Sequence, residues 1–374
     1  MKNIQRISFV HYQPIEFFPP ALNFIQTLKG KLNKLTVHTC WNLRNSFRFQ
    51  TEDISLKRYA IPESADNLIK RIGSYFEFIF LVAFRLVNEK PDCLIYYETN
   101  SALPVFLYYF FSFKKPKLVI HYHEYNSVEQ YKGGMKLVYL SYLIEKHYLW
   151  KKANWISQTN QFRKDLFHKD HPHITAEKLK ILPNYPPKEW CRTPDIKEKQ
   201  LPLKVIYIGS LGMDNFYLKE FCDWVIKQKG DVQFDIYSQN YTKDAFEYLN
   251  SIDKPFIHLN FEGIWYYDLP KVIMQYDVGL ILYQAFNQNF IFNETNKLFE
   301  YHACGLDVWF SEETIGIHRY ITQQTFPKIV PLNFKKLEEF NWREALNKNN
   351  CIFNLHDVSC ERVFTKFYNE LKAL

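Results

Sequence analysis

The sequence predicts an α/β protein built from two doubly wound domains, and three observations carry that expectation. At 374 residues the chain exceeds what one hydrophobic core usually supports. Short apolar runs alternate with longer amphipathic ones from end to end, the pattern of strands joined by helical crossovers into a parallel sheet. The alternation breaks once, over residues 182–204 (LPNYPPKEWCRTPDIKEKQLPLK), where five prolines and many charges suit neither a helix nor a strand.

The first domain is expected over residues 1–188. Its strand candidates are RISFV (6–10), LTVHTC (35–40), CLIYY (93–97), KLVIHYH (117–123) and NWISQ (154–158). Helix-length amphipathic patterns fill 67–90 and 136–153. A linker follows at 189–203. The second domain, 204–356, restarts the alternation with KVIYIGS (204–210), a helix near 216–228, VQFDIYS (232–238), a helix near 242–251, IHLNFEG (257–263), DLPKVIMQY (268–276) and VGLILY (278–283). Residues 357–374 are amphipathic and read as a helix crossing back to the first domain. Ligands of doubly wound domains sit beyond the carboxyl ends of the strands. Two Rossmann-like domains facing a cleft are therefore expected, one half holding a nucleotide-linked substrate and the other a second substrate.

Composition narrows the classes. With 47% hydrophobic and 23% charged residues the chain is globular, and no apolar run approaches the roughly 20 residues that span a bilayer. The start, MKNIQRISFVHYQP, lacks the apolar length and the small-residue cleavage site of an export signal. Seven widely spaced cysteines with no C-x-x-C pair suggest neither a disulfide framework nor a zinc site, so a reducing cytoplasm is expected. Residues 1–200 carry 30 basic against 18 acidic side chains, a surplus of 12, whereas the remainder carries 17 against 22. No nucleic-acid-binding signature accompanies the basic half, which points instead to phosphorylated substrates or to an anionic membrane surface at the cytoplasmic face.

The stretch FNETNKLFEYHACGLDVWFS (292–311) places a Lys and a Glu three apart, ahead of an apolar run. By spacing alone Lys297 and Glu300 are either a solvated ion pair on a helix or ligand groups at a helix start, where free N–H groups and the dipole favour phosphate. The stretch resembles the NKLFEY-x-A-x-G-x-P-V segment of GT-B glycosyltransferases, in particular the retaining family 4 type. VIYIGSLG (205–212) and NFEGIWYYDLPKVIMQYDVGLILY (260–283) resemble the preceding strands of that family's donor domain, so the likeness covers residues 204–311. The resemblance implies transfer of a sugar from a nucleotide sugar, which is a substrate rather than a cofactor, with retention, no metal, and a place in cell-surface polysaccharide synthesis. It gives Glu300 the ribose hydroxyls, Lys297 the diphosphate, and Asn296 the helix start. Gly209 and Ser210 stand where a backbone approaches phosphate. Where the family often carries an Arg nearby and a Lys a few residues later, this chain reads GSLGMDNFYLK, which leaves Lys297 as the chief candidate cation, and Phe292 occupies the position eight before Glu300 where the family carries an acid. Glu294, two residues on, with Asn293, is the candidate sugar contact.

In the first half, VIHYHEYNS (119–127) looks like the His-acid element that faces the donor in related transferases. His123 would then hydrogen-bond the sugar or the charge developing at the anomeric carbon, and Glu124 would orient it or touch the acceptor. His121 and His123 share a strand face, but no further metal ligand is apparent. The loop HYQPIEFFPPA (11–21) and the run LPVFLYYFFSFKKPK (103–117) join aromatic residues to prolines and lysines, a composition of a buried core or of a surface for a glycan or lipid-linked acceptor. Two alternatives stand beside the transferase: a nucleotide-sugar epimerase of the same fold, and a non-enzymatic two-domain binding protein, which the absent export signal disfavours.

Overall fold

The structure is a computed structural model, and it describes residues 4–41, 48–61, 67–193, 201–322, 324–347, 351–354 and 358–373. The chain divides into two compact units, Met1–Pro183 with Cys360–Leu374, and Asn184–Ser359. Of the linker expected at 189–203, residues 194–200 lie outside the described residues.

The first unit is built on seven parallel strands: β1 (Arg6–His11), β2 (Lys34–Trp41), β3 (Ser55–Ala60), β4 (Cys93–Tyr97), β5 (Lys117–Tyr122), β6 (Trp155–Gln158) and β7 (Leu179–Ile181). Their order in the sheet is β3-β2-β1-β4-β5-β6-β7. Because every neighbouring pair is parallel, all carboxyl ends share one rim. β4 is buried at all five positions, which is why it reads as an unbroken apolar run. β3 and β7 escaped the sequence pattern because both are edge strands; β3 reads SLKRYA, with the charged side chains that keep an edge from pairing further.

Helices cover the sheet. α1 (Pro19–Leu28) begins with two prolines, whose missing N–H groups cost nothing in a first turn. α2 (Leu68–Glu89) is capped by Asn67, which accepts from the Lys70 amide at 2.8 Å, and ends at Lys90 in the left-handed region (φ 47°). α3 (Ala102–Phe111) and α4 (Val128–Gly133) follow, the latter opened by a reciprocal Ser127–Gln130 cap. The pattern expected as one helix over 136–153 is α5 (Lys136–Ile144), then a π-turn at Glu145–Leu149, then a last turn at Trp150–Lys152. The C-terminal helix Cys360–Ala373 packs on α1, with Phe364 5.3 Å from the Phe24 ring.

The second unit holds six parallel strands in the order β10-β9-β8-β11-β12-β14, where β8 is Leu203–Ile208, β9 Val232–Tyr237, β10 Ile257–Asn260, β11 Val278–Ile281, β12 Asp307–Ser311 and β14 Ile329–Leu332. β13 (Thr325–Phe326) pairs with β15 (Ile352–Phe353). One contact places the helix Asn296–Ala303 against this sheet. Gly279 on β11 leaves room for the Tyr301 ring, into which a Cβ at 279 would intrude at 2.1 Å, and the Tyr301 hydroxyl accepts from the Ile208 amide at 3.0 Å. Thus Tyr301 of the NKLFEY stretch anchors the helix and thereby fixes where Lys297 and Glu300 stand.

Candidate functional site

The residues singled out by sequence gather in two places, one in each unit. In the second unit, Lys297 donates to Glu300 Oε2 at 2.6 Å. This is no solvated pair: the side chains are 18% and 2% exposed. They lie in the first turn and a half of the helix, whose N-cap, Thr295, makes no side-chain hydrogen bond to it. The first amides of a helix have no intrahelical acceptor, so this end presents donors and a positive dipole.

The preceding loop brings Asn293 and Glu294 to the same end. Glu294 is buried and accepts from the Tyr320 hydroxyl at 2.7 Å, with the Arg319 guanidinium 3.7 Å from its other oxygen. Burial and the Glu294 charge push the Tyr320 phenol well above its ordinary range. The loop is pressed onto Gly316, where a Cβ would come within 2.6 Å of the Asn293 carbonyl oxygen. Arg319 was not foreseen from sequence. It sets a cation beside Glu294, and the only signal for it was the Gly-x-x-Arg-Tyr run at 316–320.

Gly209 and Ser210 immediately follow β8. The Gly209 amide donates to the Tyr237 carbonyl at 3.1 Å, and the Tyr207 hydroxyl donates to the Ser210 carbonyl at 2.5 Å. A Cβ at 209 would meet that hydroxyl at 3.0 Å. The protein's own packing thus accounts for the glycine, and the Ser210 side chain, which accepts from Asn240 at 3.2 Å, is the exposed group of the pair.

In the first unit a pocket of about 220 Å³ opens at the carboxyl ends of β1, β4 and β5, lined among others by His11, Phe18, Glu98, His123 and Glu124. His123 is buried and Glu124 exposed at the rim. The His123 amide donates to Glu98 Oε1 at 2.5 Å, and Arg163 donates to the His123 carbonyl and, at 3.0 Å, to Thr159. The backbone at 123 is thereby held from both sides. Glu98 has φ 64°, a region rarely used by a residue with a side chain, and strain of this kind persists where the surroundings demand it. Burial first, then the charge of Glu124, push its carboxyl up to about 8. Burial and the neighbouring His123 hold His11 well below its ordinary value, and neither of its ring nitrogens has a hydrogen-bond partner among the described residues.

His121, by contrast, is bonded to Ser157 Oγ at 2.9 Å inside the sheet. No group of three or more potential metal ligands occurs among the described residues. Behind the pocket, Glu145 on the π-turn accepts from the hydroxyls of Tyr96 and Tyr122, each at 2.8 Å, and burial pushes it up to about 7. Glu98 and His11 were not foreseen. Their signal was an acid and a histidine immediately at the ends of apolar strands, in CLIYYE and ISFVH.

No protein-family model matches the chain, and no curated protein matches it in sequence. Solved structures do. They include the lipopolysaccharide outer core galactosyltransferase WaaB in its apo form (16% identity, 98% of this chain and 96% of that one, TM-score 0.58). HepE of Anabaena in complex with UDP and glucose aligns at 11% identity over 99% of this chain and 100% of that one, TM-score 0.65. The UDP-GlcNAc 2-epimerase of Methanocaldococcus jannaschii aligns at 10% identity over 98% and 99%, TM-score 0.55. At such identities the likeness establishes the fold: two Rossmann-like α/β units of the GT-B type.

Proposed function

We propose that this protein is a glycosyltransferase, moving a sugar from a nucleotide-sugar donor to a glycan or lipid-linked acceptor, with retention and without a metal. Its setting is cell-surface polysaccharide synthesis at the cytoplasmic face of the membrane. The observation that carries the reading is the withdrawal of Lys297 and Glu300 from solvent at a helix start. Burying an ion pair costs desolvation that its own attraction seldom recovers, so a pair held there suits a ligand that will exchange with it. Glu300 has two acceptor oxygens, which match a vicinal ribose diol. With those hydroxyls bound, Lys297 turns its charge to the diphosphate, and the helix dipole adds to it. A site of this kind promotes transfer by stabilising the departing diphosphate. Asn293, Glu294 and Asn296 contact the donor sugar and phosphates, Gly209 and Ser210 border them, and His123 with Glu124 serve the transferred sugar and its acceptor.

The UDP bound to HepE supports a uridine nucleotide, and the galactosyltransferase WaaB supports a hexosyl donor. The second reading, a nucleotide-sugar epimerase, is favoured by the 2-epimerase on the same fold. Incubation with UDP-, GDP-, CMP- and TDP-sugars separates the two. Transfer releases the free nucleotide in step with a glycosylated acceptor, and the anomeric configuration of that product reports retention. Epimerisation leaves an isomeric sugar instead, and recovery of every nucleotide sugar unchanged in the presence of glycan and lipid acceptors would reject both. Turnover that collapses in a chelator would reject the metal-free form.

A further inference from the structure

The first unit contains a second, larger cavity of about 450 Å³ that the transfer chemistry leaves unused. Its wall is apolar, formed by Leu68, Ile72 and Tyr75 of α2 and by Met135, Leu137 and Val138 at the start of α5. Tyr12, Gln13, Asn100 and Val138 line both this groove and the His123–Glu98 pocket, so one opens beside the other. Ile61, Arg71 and Lys136 complete the lining, and no acidic side chain contributes to it. An apolar trough with two cations that adjoins a polar pocket matches a molecule with three parts: a hydrocarbon chain, an anionic group and a hydroxylated head.

The helix that walls the groove says where such a molecule comes from. α2 has two apolar faces. Phe78, Ile79, Val82 and Leu86 are buried in the core, whereas Ile69, Phe76, Phe80 and Phe84, spaced by whole turns on the other side, are 82%, 42%, 62% and 68% exposed. α3 adds Phe110 and Phe111, both exposed, and is followed by Lys114, Lys115 and Lys117. Aromatic side chains beside lysines on a helix too polar to cross a membrane are the composition of a segment that lies in the plane of an anionic lipid surface.

We propose that the groove between α2 and α5 is the site of the hydrocarbon chain of a lipid phosphate acceptor, with the phosphate at Arg71 and Lys136 and the head in the His123–Glu98 pocket. The lipid enters from the bilayer on which the outer face of α2 rests. The nature of the head rests on the glycosyltransferase reading; the chain site does not.

The test uses octyl phosphate below its micellar concentration, octanol and inorganic phosphate, each titrated into the full chain by calorimetry. Octyl phosphate should bind one to one and inorganic phosphate should give no heat. Leu68 and Ile72 are solvent-accessible, so the double variant Leu68→Gln/Ile72→Gln should fold, keep its UDP affinity and lose at least tenfold in octyl phosphate affinity. Arg71→Gln should weaken octyl phosphate and leave octanol unchanged. Equal affinity of wild type and both variants for octyl phosphate, or no binding to wild type, overturns the proposal. Failure here is distinct from failure of the transferase reading. A protein that binds octyl phosphate but consumes no nucleotide sugar retains the groove and loses the transferase, whereas one that glycosylates a soluble sugar but does not bind octyl phosphate retains the transferase and loses the groove.

Discussion

Each unit holds a carboxylate withdrawn from water, and the two differ in what stands beside it. Glu300 has the Lys297 ammonium at 2.6 Å. Glu98 has backbone amides and a second acid, Glu124. Burial penalises a charged group unless an opposite charge offsets the penalty. Without that offset Glu98 is pushed up to about 8 while His11 is held well below its ordinary value. Near neutral pH Glu98 and His11 are therefore held mostly uncharged, whereas the second site sets a cation and an anion in direct contact. Uncharged donors and acceptors suit the hydroxyls of a sugar. A matched pair suits a nucleotide diphosphate, because its cation can turn to phosphate when its anion is taken up by the ribose. The contrast lies chiefly in counter-charge, although Glu98 lines an open pocket and is only partly buried whereas Glu300 is almost wholly withdrawn from solvent.

Removing the anion of the matched pair should break this contrast most strongly. Glu300→Ala loses two charge-assisted hydrogen bonds of roughly 1.5–3 kcal/mol each, so nucleotide affinity should fall about a hundredfold or more by calorimetry. Unchanged affinity would place the nucleotide elsewhere. Next in size is a pair of variants that should separate the two sites. Lys297→Ala should weaken nucleotide binding and turnover together, because a charge on the diphosphate acts in ground and transition states alike. His123→Ala should lower kcat by about 10- to 100-fold and leave nucleotide affinity at the wild-type value. Steady-state kinetics alongside nucleotide titration reads both, and wild-type turnover in His123→Ala would make it a structural histidine.

How far each site could be read from the sequence follows the same division. Lys297 and Glu300 are three residues apart on one helix, so their relation is local and visible in a string of letters. Glu98 meets the amide of a residue 25 positions away, and only the sheet order that places β4 beside β5 brings them together. Arg319 reaches Glu294 in the same nonlocal way. Buried strands such as CLIYY and VGLILY were legible because a sheet covered on both faces leaves continuous apolar runs; the edge strand SLKRYA was not, since its charges serve to discourage pairing. The π-turn carrying Glu145 was hidden because one inserted residue barely disturbs a helical pattern. Gly279 and Gly316 look like any other glycines until Tyr301 and the Asn293 carbonyl are placed against them.

The uncharged state of the first pocket can be tested through stability. The folded-state value of Glu98 lies near 8, above the ordinary 4.5, so between those values the folded protein holds a proton that the unfolded chain has released. Stability then falls as pH rises through that window and levels off above it. Each pH unit is worth at most about 1.4 kcal/mol, and water in the open pocket reduces this. Glu98→Gln should accordingly flatten the decline between pH 5 and 9 by on the order of 2–3 kcal/mol, measured as urea midpoints across pH. Glu145, pushed up to about 7, should contribute a smaller slope of the same sign that survives in the variant. Parallel curves for wild type and Glu98→Gln would show that the carboxyl is charged throughout, and the contrast between the sites would disappear.

The mildest test extends the comparison from the sites to the surfaces that surround them. Residues 1–200 carry the basic surplus and the exposed α2 ridge, and the remainder is net acidic. If the first unit rests on anionic lipid, the full chain should sediment with phosphatidylglycerol vesicles at low salt and be released as ionic strength passes about 0.3 M, where charges more than a few ångströms apart are screened. Each Lys or Arg near such a surface contributes about 1 kcal/mol, so several must act together for the effect to be seen. Phe80 is exposed in the middle of the ridge, and Phe80→Asp replaces an inserting ring with a charge that the lipid repels. The bound fraction should fall a few-fold, while UDP affinity, which depends on the other unit, stays at the wild-type value. Equal recovery on phosphatidylcholine vesicles would remove charge from the attachment. Wild-type sedimentation of Phe80→Asp would remove the ridge, leaving the lysines after α3 as the sole contact and the lipid route into the groove without its entrance.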